Sequence, residues 1–179
     1  MKVAVTGGIA TGKSTVCSMF RELGFSVASA DEIAKEVRER TEVQAEISWL
    51  LGVDAKDVTA IREAITDDPE KRTALNTLMH GRVLEAMDSS GADIIEVPLL
   101  FESTIQCLFA QILCVSCGAE IQLERLTHRV QDREAAERMV GLQLPLRVKE
   151  LLSDQTIRTD LPLSAVRTDV ARISKLIAM

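Results

Sequence analysis

Eight consecutive residues, Gly7-Gly8-Ile9-Ala10-Thr11-Gly12-Lys13-Ser14, satisfy the spacing G-x-x-x-x-G-K-[ST] between a short β-branched run and a helical one. Glycines let such a loop turn its N–H groups inward as an anion nest, and the helix behind it adds the positive end of its dipole. The lysine reaches the β- and γ-phosphates of a nucleoside triphosphate, and the serine hydroxyl reaches the Mg2+ that bridges them. Gly8, Ala10, Thr11, Gly12, Lys13, Ser14 and Thr15 are therefore the expected triphosphate site, with Lys13 stabilising charge and Ser14 on the metal.

Two further sets of side chains suit phosphoryl transfer. Arg125, Arg129, Arg133 and Arg138 can clamp the triphosphate and stabilise the transferring group. The alternative is a solvated helix face on which they pair with Glu124, Glu134 and Glu137. Asp31 follows the second predicted strand, at the strand end where ligands collect in open α/β sheets. Its carboxylate can accept the proton of an acceptor hydroxyl or cap a helix beginning at Glu32, and the two roles are compatible. Glu96, near another strand end, is a candidate contact for hydrated Mg2+.

These side chains need a sheet to hold them. Residues 2–6, 26–29, 93–97, 111–115 and 155–159 are short apolar runs that suit strands buried on both faces, separated by stretches of helical periodicity. Alternating strands and helices predict βαβ units and a parallel sheet covered by helices. Residues 31–89 are too long for one crossover and read as a helical subdomain. Within it lie short helices at 41–51 and 57–66 and a longer one opened by Asp68-Pro69. Residues 121–151, rich in arginine and broken near Val130-Gln131-Asp132, read as a helix-turn-helix flap, and 164–177 as a closing amphipathic helix. The core is then 1–30, 90–120 and 152–179.

The chain has 179 residues, 46% hydrophobic and 27% charged, which fits one globular domain and excludes disordered or fibrous classes. Its net charge of −6 gives no basic field for a nucleic-acid backbone, so no nucleic-acid partner is expected and an anionic ligand needs a local site. Asn76 is the only asparagine, so the N-K-x-D of guanine-specific switches is missing, as is the L-S-G-G-Q of transporter ATPases. A small phosphotransferase whose flap shuts out water fits best. No apolar run approaches the roughly 20 residues needed to span a bilayer, and Gly7 and Gly8 interrupt any signal-peptide core, which predicts a cytoplasmic protein without a membrane partner. Cys17, Cys107, Cys114 and Cys117 are too few and scattered for a disulfide framework. Cys114 and Cys117, a C-x-x-C on an apolar run, are expected as reduced thiols on opposite faces of a buried strand.

Four stretches are more specific: Val5 to Val16 around the loop; Leu23-Gly24-Phe25 on to Ala30-Asp31-Glu32-Ile33-Ala34; Val97-Pro98-Leu99-Leu100-Phe101-Glu102-Ser103; and Gln122-Leu123-Glu124-Arg125-Leu126 through Arg138-Met139 to Gln143-Leu144-Pro145-Leu146. With them the sequence resembles the dephospho-CoA kinases over nearly its whole length. The resemblance implies an α/β P-loop kinase with a five-stranded parallel sheet flanked by helices, a helical acceptor-binding subdomain and a helical lid. It implies ATP·Mg2+ as donor and the ribose 3′-hydroxyl of dephospho-CoA as acceptor. Asp31 resembles the family's general base, and Pro98, Leu99, Leu100 and Glu102 its acceptor wall, although from composition alone Leu99, Leu100 and Phe101 suit a core. Lys13 and Arg138 would be catalytic, Arg129 and Arg138 would hold nucleotide, and His80 matches a family histidine at the acceptor. A monomer or weak homo-oligomer is expected.

Departures mark the limits. Ser29-Ala30-Asp31 stands where the family has Asp-Ala-Asp, Gly81 follows His80 where proline is usual, and residues 51–65 are shortened. Residues 153–162 do not match the family's adenine-side segment. Rival functions are therefore a P-loop kinase of another small hydroxyl acceptor and a catalytically idle nucleotide-binding relative.

Overall fold

The computed structural model describes residues 2–177. Strands β1 (Val3–Gly7), β2 (Val27–Ser29), β3 (Ile94–Glu96), β4 (Gln111–Ser116) and β5 (Gln155–Arg158) form one parallel sheet in the order β2-β3-β1-β4-β5. Its helices are α1 (Lys13–Glu22), α2 (Ala30–Glu39), α3 (Thr41–Leu51), α4 (Val58–Thr66), α5 (Pro69–Ser89), α6 (Ala119–Val130), α7 (Arg133–Gly141), α8 (Leu146–Leu151) and α9 (Leu163–Ile177). None among the described residues is long and apolar enough to cross a membrane. The chain divides into two compact units, one running to Ala28 and resuming at Ala92, the other Ser29–Gly91.

In the first unit β1 is the central strand, with Val3 opposite Ile94 of β3 and Gln111 of β4. All five of its residues are buried, which is why it reads as a continuous apolar run without alternation. Val3, Val5, Leu113, Val115 and Ile157 pack with Val16, Cys17 and Phe20 of α1 and Val166, Val170 and Ile173 of α9 into one core. The flap expected as two helices contains three, because α6 ends at Gln131 in a left-handed conformation (φ 59°), Asp132 caps α7, and Pro145 starts α8.

The C-x-x-C needs correction. Since β4 ends at Ser116, Cys117 lies past the strand, and Cys114 and Cys117 are both buried and free instead of projecting from opposite strand faces. Burial, aided by the neighbouring Glu96 for Cys17 and Glu150 for Cys114, pushes both thiols up to about 12. Cys17 and Cys114 are thus inert protonated thiols.

In the second unit α5 packs along α2, α3 and α4. Ile33, Val37, Val43, Ile47, Leu51 and Ile61 are buried, and one guanidinium nitrogen of Arg82 donates to both carboxylate oxygens of Glu46 (2.8 and 3.0 Å). Asp57 and Asp68 cap α4 and α5, with Pro69 in the first turn of α5 where its missing N–H costs nothing. Asp31 is not a cap. Helix α2 begins at Ala30, and extended Ser29 accepts the Glu32 N–H on its hydroxyl, leaving the Asp31 carboxylate exposed in the first turn.

Candidate active site

The loop between β1 and α1 is built on two left-handed residues, Ala10 (φ 61°) and Gly12 (φ 89°). Glycine takes that conformation freely; alanine does not, and such strain concentrates at functional loops. Thr11, fully buried, donates its hydroxyl to the Gly8 carbonyl at 2.9 Å. Lys13 is 8% exposed, and its ammonium folds back over the loop to donate to the carbonyls of Gly8 (2.8 Å) and Gly7 (3.3 Å). Ser14 and Thr15 are exposed in the first turn of α1, and that turn carries no acidic residue to offset the positive helix end.

Side chains from the flap and from the β5 end close on this loop. Gln122 of α6 donates to the Ile9 carbonyl (2.9 Å), and the Ile9 N–H donates to Oε1 of Gln143 (2.9 Å). Arg125 donates to the hydroxyl (3.0 Å) and the carbonyl (2.7 Å) of Thr159, whose hydroxyl donates to the Thr11 carbonyl (2.6 Å). Beside this latch lies a cavity of about 380 Å³, lined by Gly12, Thr15, Arg125, Thr159, Leu161 and Leu163. It is continuous with the phosphate loop and lined by aliphatic groups and a guanidinium, not by aromatic rings.

Beyond β3, the turn from Pro98 to Glu102 is tied to α8. Lys149, with no exposed surface, donates to the Pro98 carbonyl (2.9 Å) and pairs with Oε1 of Glu102 (2.8 Å), which also accepts the Leu144 N–H (2.9 Å). Burial pushes the Glu102 carboxyl up, but the hydrogen bonds from Lys149 and Leu144 outweigh it and hold the group below the usual carboxylate range. Its stabilising contribution is therefore full above the ordinary carboxylate pKa and is lost as pH falls through the lowered folded value. Lys149→Met is expected to cost about 2–3 kcal/mol at pH 7, because it leaves the half-buried Glu102 carboxylate without its cation. In melts from pH 7 to pH 3 the gap between variant and wild type should narrow as Glu102 protonates; a constant gap would contradict the pairing.

A sequence model of the dephospho-CoA kinase family matches residues 1–163. The chain belongs to the dephospho-CoA kinase family. Dephospho-CoA kinase of Fusobacterium nucleatum is 37% identical across 80% of this chain and 81% of its own length, and that of Bacillus cereus 34% across 97% and 95%. The solved dephospho-CoA kinase from Campylobacter jejuni superposes with a TM-score of 0.70 at 26% identity, covering 99% of this chain and 98% of that one. A shikimate kinase from Acinetobacter baumannii, at 19% identity and a TM-score of 0.55, shares the P-loop kinase fold.

In this dephospho-CoA kinase family member the sequence-nominated residues have distinct settings. Gly8, Ala10, Thr11, Gly12, Lys13, Ser14 and Thr15 form one continuous loop and helix start. Leu99 is 44% exposed and Pro98 half-buried, whereas Leu100 is fully buried and packs in the core, so the wall expected from four residues offers no Leu100 surface. Glu102 spends one carboxylate oxygen on Leu144 and Lys149. Arg133 and Arg138 pair with Glu137 and Glu134 one turn away, as a solvated helix face does, and Arg129 is exposed. Arg125 is the flap arginine that joins the loop latch. In the second unit, His80 is exposed on α5 and Asp31 on α2. Gln122 and Gln143 lie in a family-matching stretch but nothing local marks their contacts, and Lys149 and Thr159 carry no local signal, because each acts through a partner distant in the chain.

Proposed function

We propose that the protein transfers the γ-phosphoryl group of ATP to the 3′-hydroxyl of the ribose of dephospho-CoA, giving coenzyme A and ADP. The carrying observation is the folded phosphate loop, with Lys13 buried over its carbonyls, in a chain that matches the family across residues 1–163. Loop N–H groups, the α1 terminus and Lys13 hold the β- and γ-phosphates and stabilise charge as it shifts to the leaving oxygen. The base lies in the cavity at Arg125 and Leu163, whose aliphatic lining and guanidinium take the place of an aromatic stack.

Among the described residues no group of three His, Cys, Asp or Glu converges to hold a metal. The Ser14 hydroxyl and the Glu96 carboxylate are hard oxygen donors that suit a Mg2+ taking its remaining ligands from phosphate and water. Bound there, Mg2+ supplies charge neutralisation on the phosphates. Asp31, exposed and not engaged as a cap, takes the proton of the acceptor hydroxyl. Arg138, with Arg129, leaves its solvated pair to meet the triphosphate when the lid closes. Pro98, Leu99 and Glu102, with His80, bind the acceptor. The protein acts on small molecules, in the cytoplasm, as a monomer or weak homo-oligomer.

The test is ATP consumption with dephospho-CoA, adenosine, AMP, CMP or shikimate as acceptor. Turnover with dephospho-CoA alone is expected. Faster phosphorylation of another compound would overturn the acceptor assignment, and equal slow hydrolysis with all five would mark an idle relative.

A further inference from the structure

Two amide side chains hold one loop residue from opposite sides. Gln122, 5% exposed on α6, donates to the Ile9 carbonyl, and Gln143, between α7 and α8, accepts the Ile9 N–H, each at 2.9 Å. Gln122 approaches so closely that a Cβ on Gly8 would come within 2.5 Å of its Nε2. The backbone after Gln143 is anchored independently, with Leu144 bonded to Glu102 and Lys149 bonded to Glu102 and Pro98. Freeing the Gln143 side chain therefore needs only rotation about its own bonds.

Loop N–H groups are the anion-binding equipment of this fold, and the Ile9 N–H is engaged by a side-chain oxygen. Ile9 stands three residues ahead of Gly12, at the end of the loop away from α1. The Lys13 ammonium, the group that reaches the β- and γ-phosphates, lies 2.8 Å from the carbonyl of Gly8, the residue next to Ile9, so the Ile9 N–H faces the outer end of the phosphate chain. A neutral amide oxygen thus occupies the donor that a terminal phosphate oxygen would use.

We propose that Gln143 is a stand-in for the γ-phosphate: its Oε1 holds the Ile9 N–H until an oxygen of the ATP γ-phosphate replaces it. The exchange is favourable because an anionic acceptor makes a shorter and stronger hydrogen bond than an amide oxygen. ADP has no group to make the exchange and leaves Gln143 in place. Gln143 is then a positioning residue that discriminates triphosphate from diphosphate. The proposal rests on the loop being an ATP site.

The test is calorimetric titration of the full chain with ADP and with the non-hydrolysable imido analogue of ATP, in wild type, Gln143→Glu and Gln143→Ala. The glutamate holds the Ile9 N–H with a charged oxygen and repels the γ-phosphate, so analogue affinity should fall about 10-fold with ADP affinity within about twofold. The alanine removes the competitor, so preference for the analogue over ADP should rise about threefold. Opposite movements of this ratio are not produced by a role confined to packing, and the alanine variant carries the test alone if the glutamate variant fails to fold. Parallel weakening of both nucleotides in the variants, or an unchanged ratio, would overturn the proposal. Wild type binding neither nucleotide would instead overturn the ATP reading beneath it.

Discussion

Asp31→Asn is expected to lower kcat by about 10²–10⁴-fold, the usual contribution of a general base, with the KM for ATP within a small factor. The amide is nearly isosteric but cannot take a proton. Because Ser29 and not Asp31 caps α2, the cap survives. Only the interaction of the carboxylate with the helix dipole is lost, roughly 0.3–1 kcal/mol. A melt recorded beside the two-substrate kinetics separates chemistry from folding. Ser29 stands where the family has a second aspartate, so no acid in that motif can take over. Retained kcat would leave Asp31 with a dipole role alone and move the base to Glu96 or Glu102.

Lys13→Ala is expected to reduce turnover on the order of 10²-fold or more, the scale of losing one preorganised charge-stabilising donor. The loop itself should survive, since the Gly8 carbonyl still accepts the Thr11 hydroxyl and Gln122 and Gln143 still hold Ile9. Steady-state turnover of dephospho-CoA measures the effect. Near-normal activity would mean that phosphoryl transfer does not occur at this loop.

The sheet and the phosphate loop were legible because their signals are local. A buried apolar run followed at once by G-x-x-x-x-G-K-S specifies strand, loop and helix within 14 residues, and Asp68-Pro69 and Asp132 mark helix starts by their own chemistry. Helix α2 shows where local signals stop. Ser29 and Asp31 are both good caps two residues apart, and the choice between them depends on where β2 ends. Leu99 and Leu100 are alike in sequence, yet the turn buries one and exposes the other. Partners 113 and 134 positions away, as for Gln122 and Gln143 on Ile9, leave no periodicity to read. Lys149 looks like a surface residue until α8 packs on β1 and β4 and buries it beside Glu102.

The most direct test of the central claim is the product of a reaction containing the protein, ATP, Mg2+ and dephospho-CoA, resolved by mass and by phosphorus NMR. One phosphoryl group added at the ribose 3′-hydroxyl is expected, with ADP formed in equal amount and no product from an acceptor lacking that hydroxyl. Phosphorylation at another position, or ADP released at the same rate with and without dephospho-CoA, would contradict it.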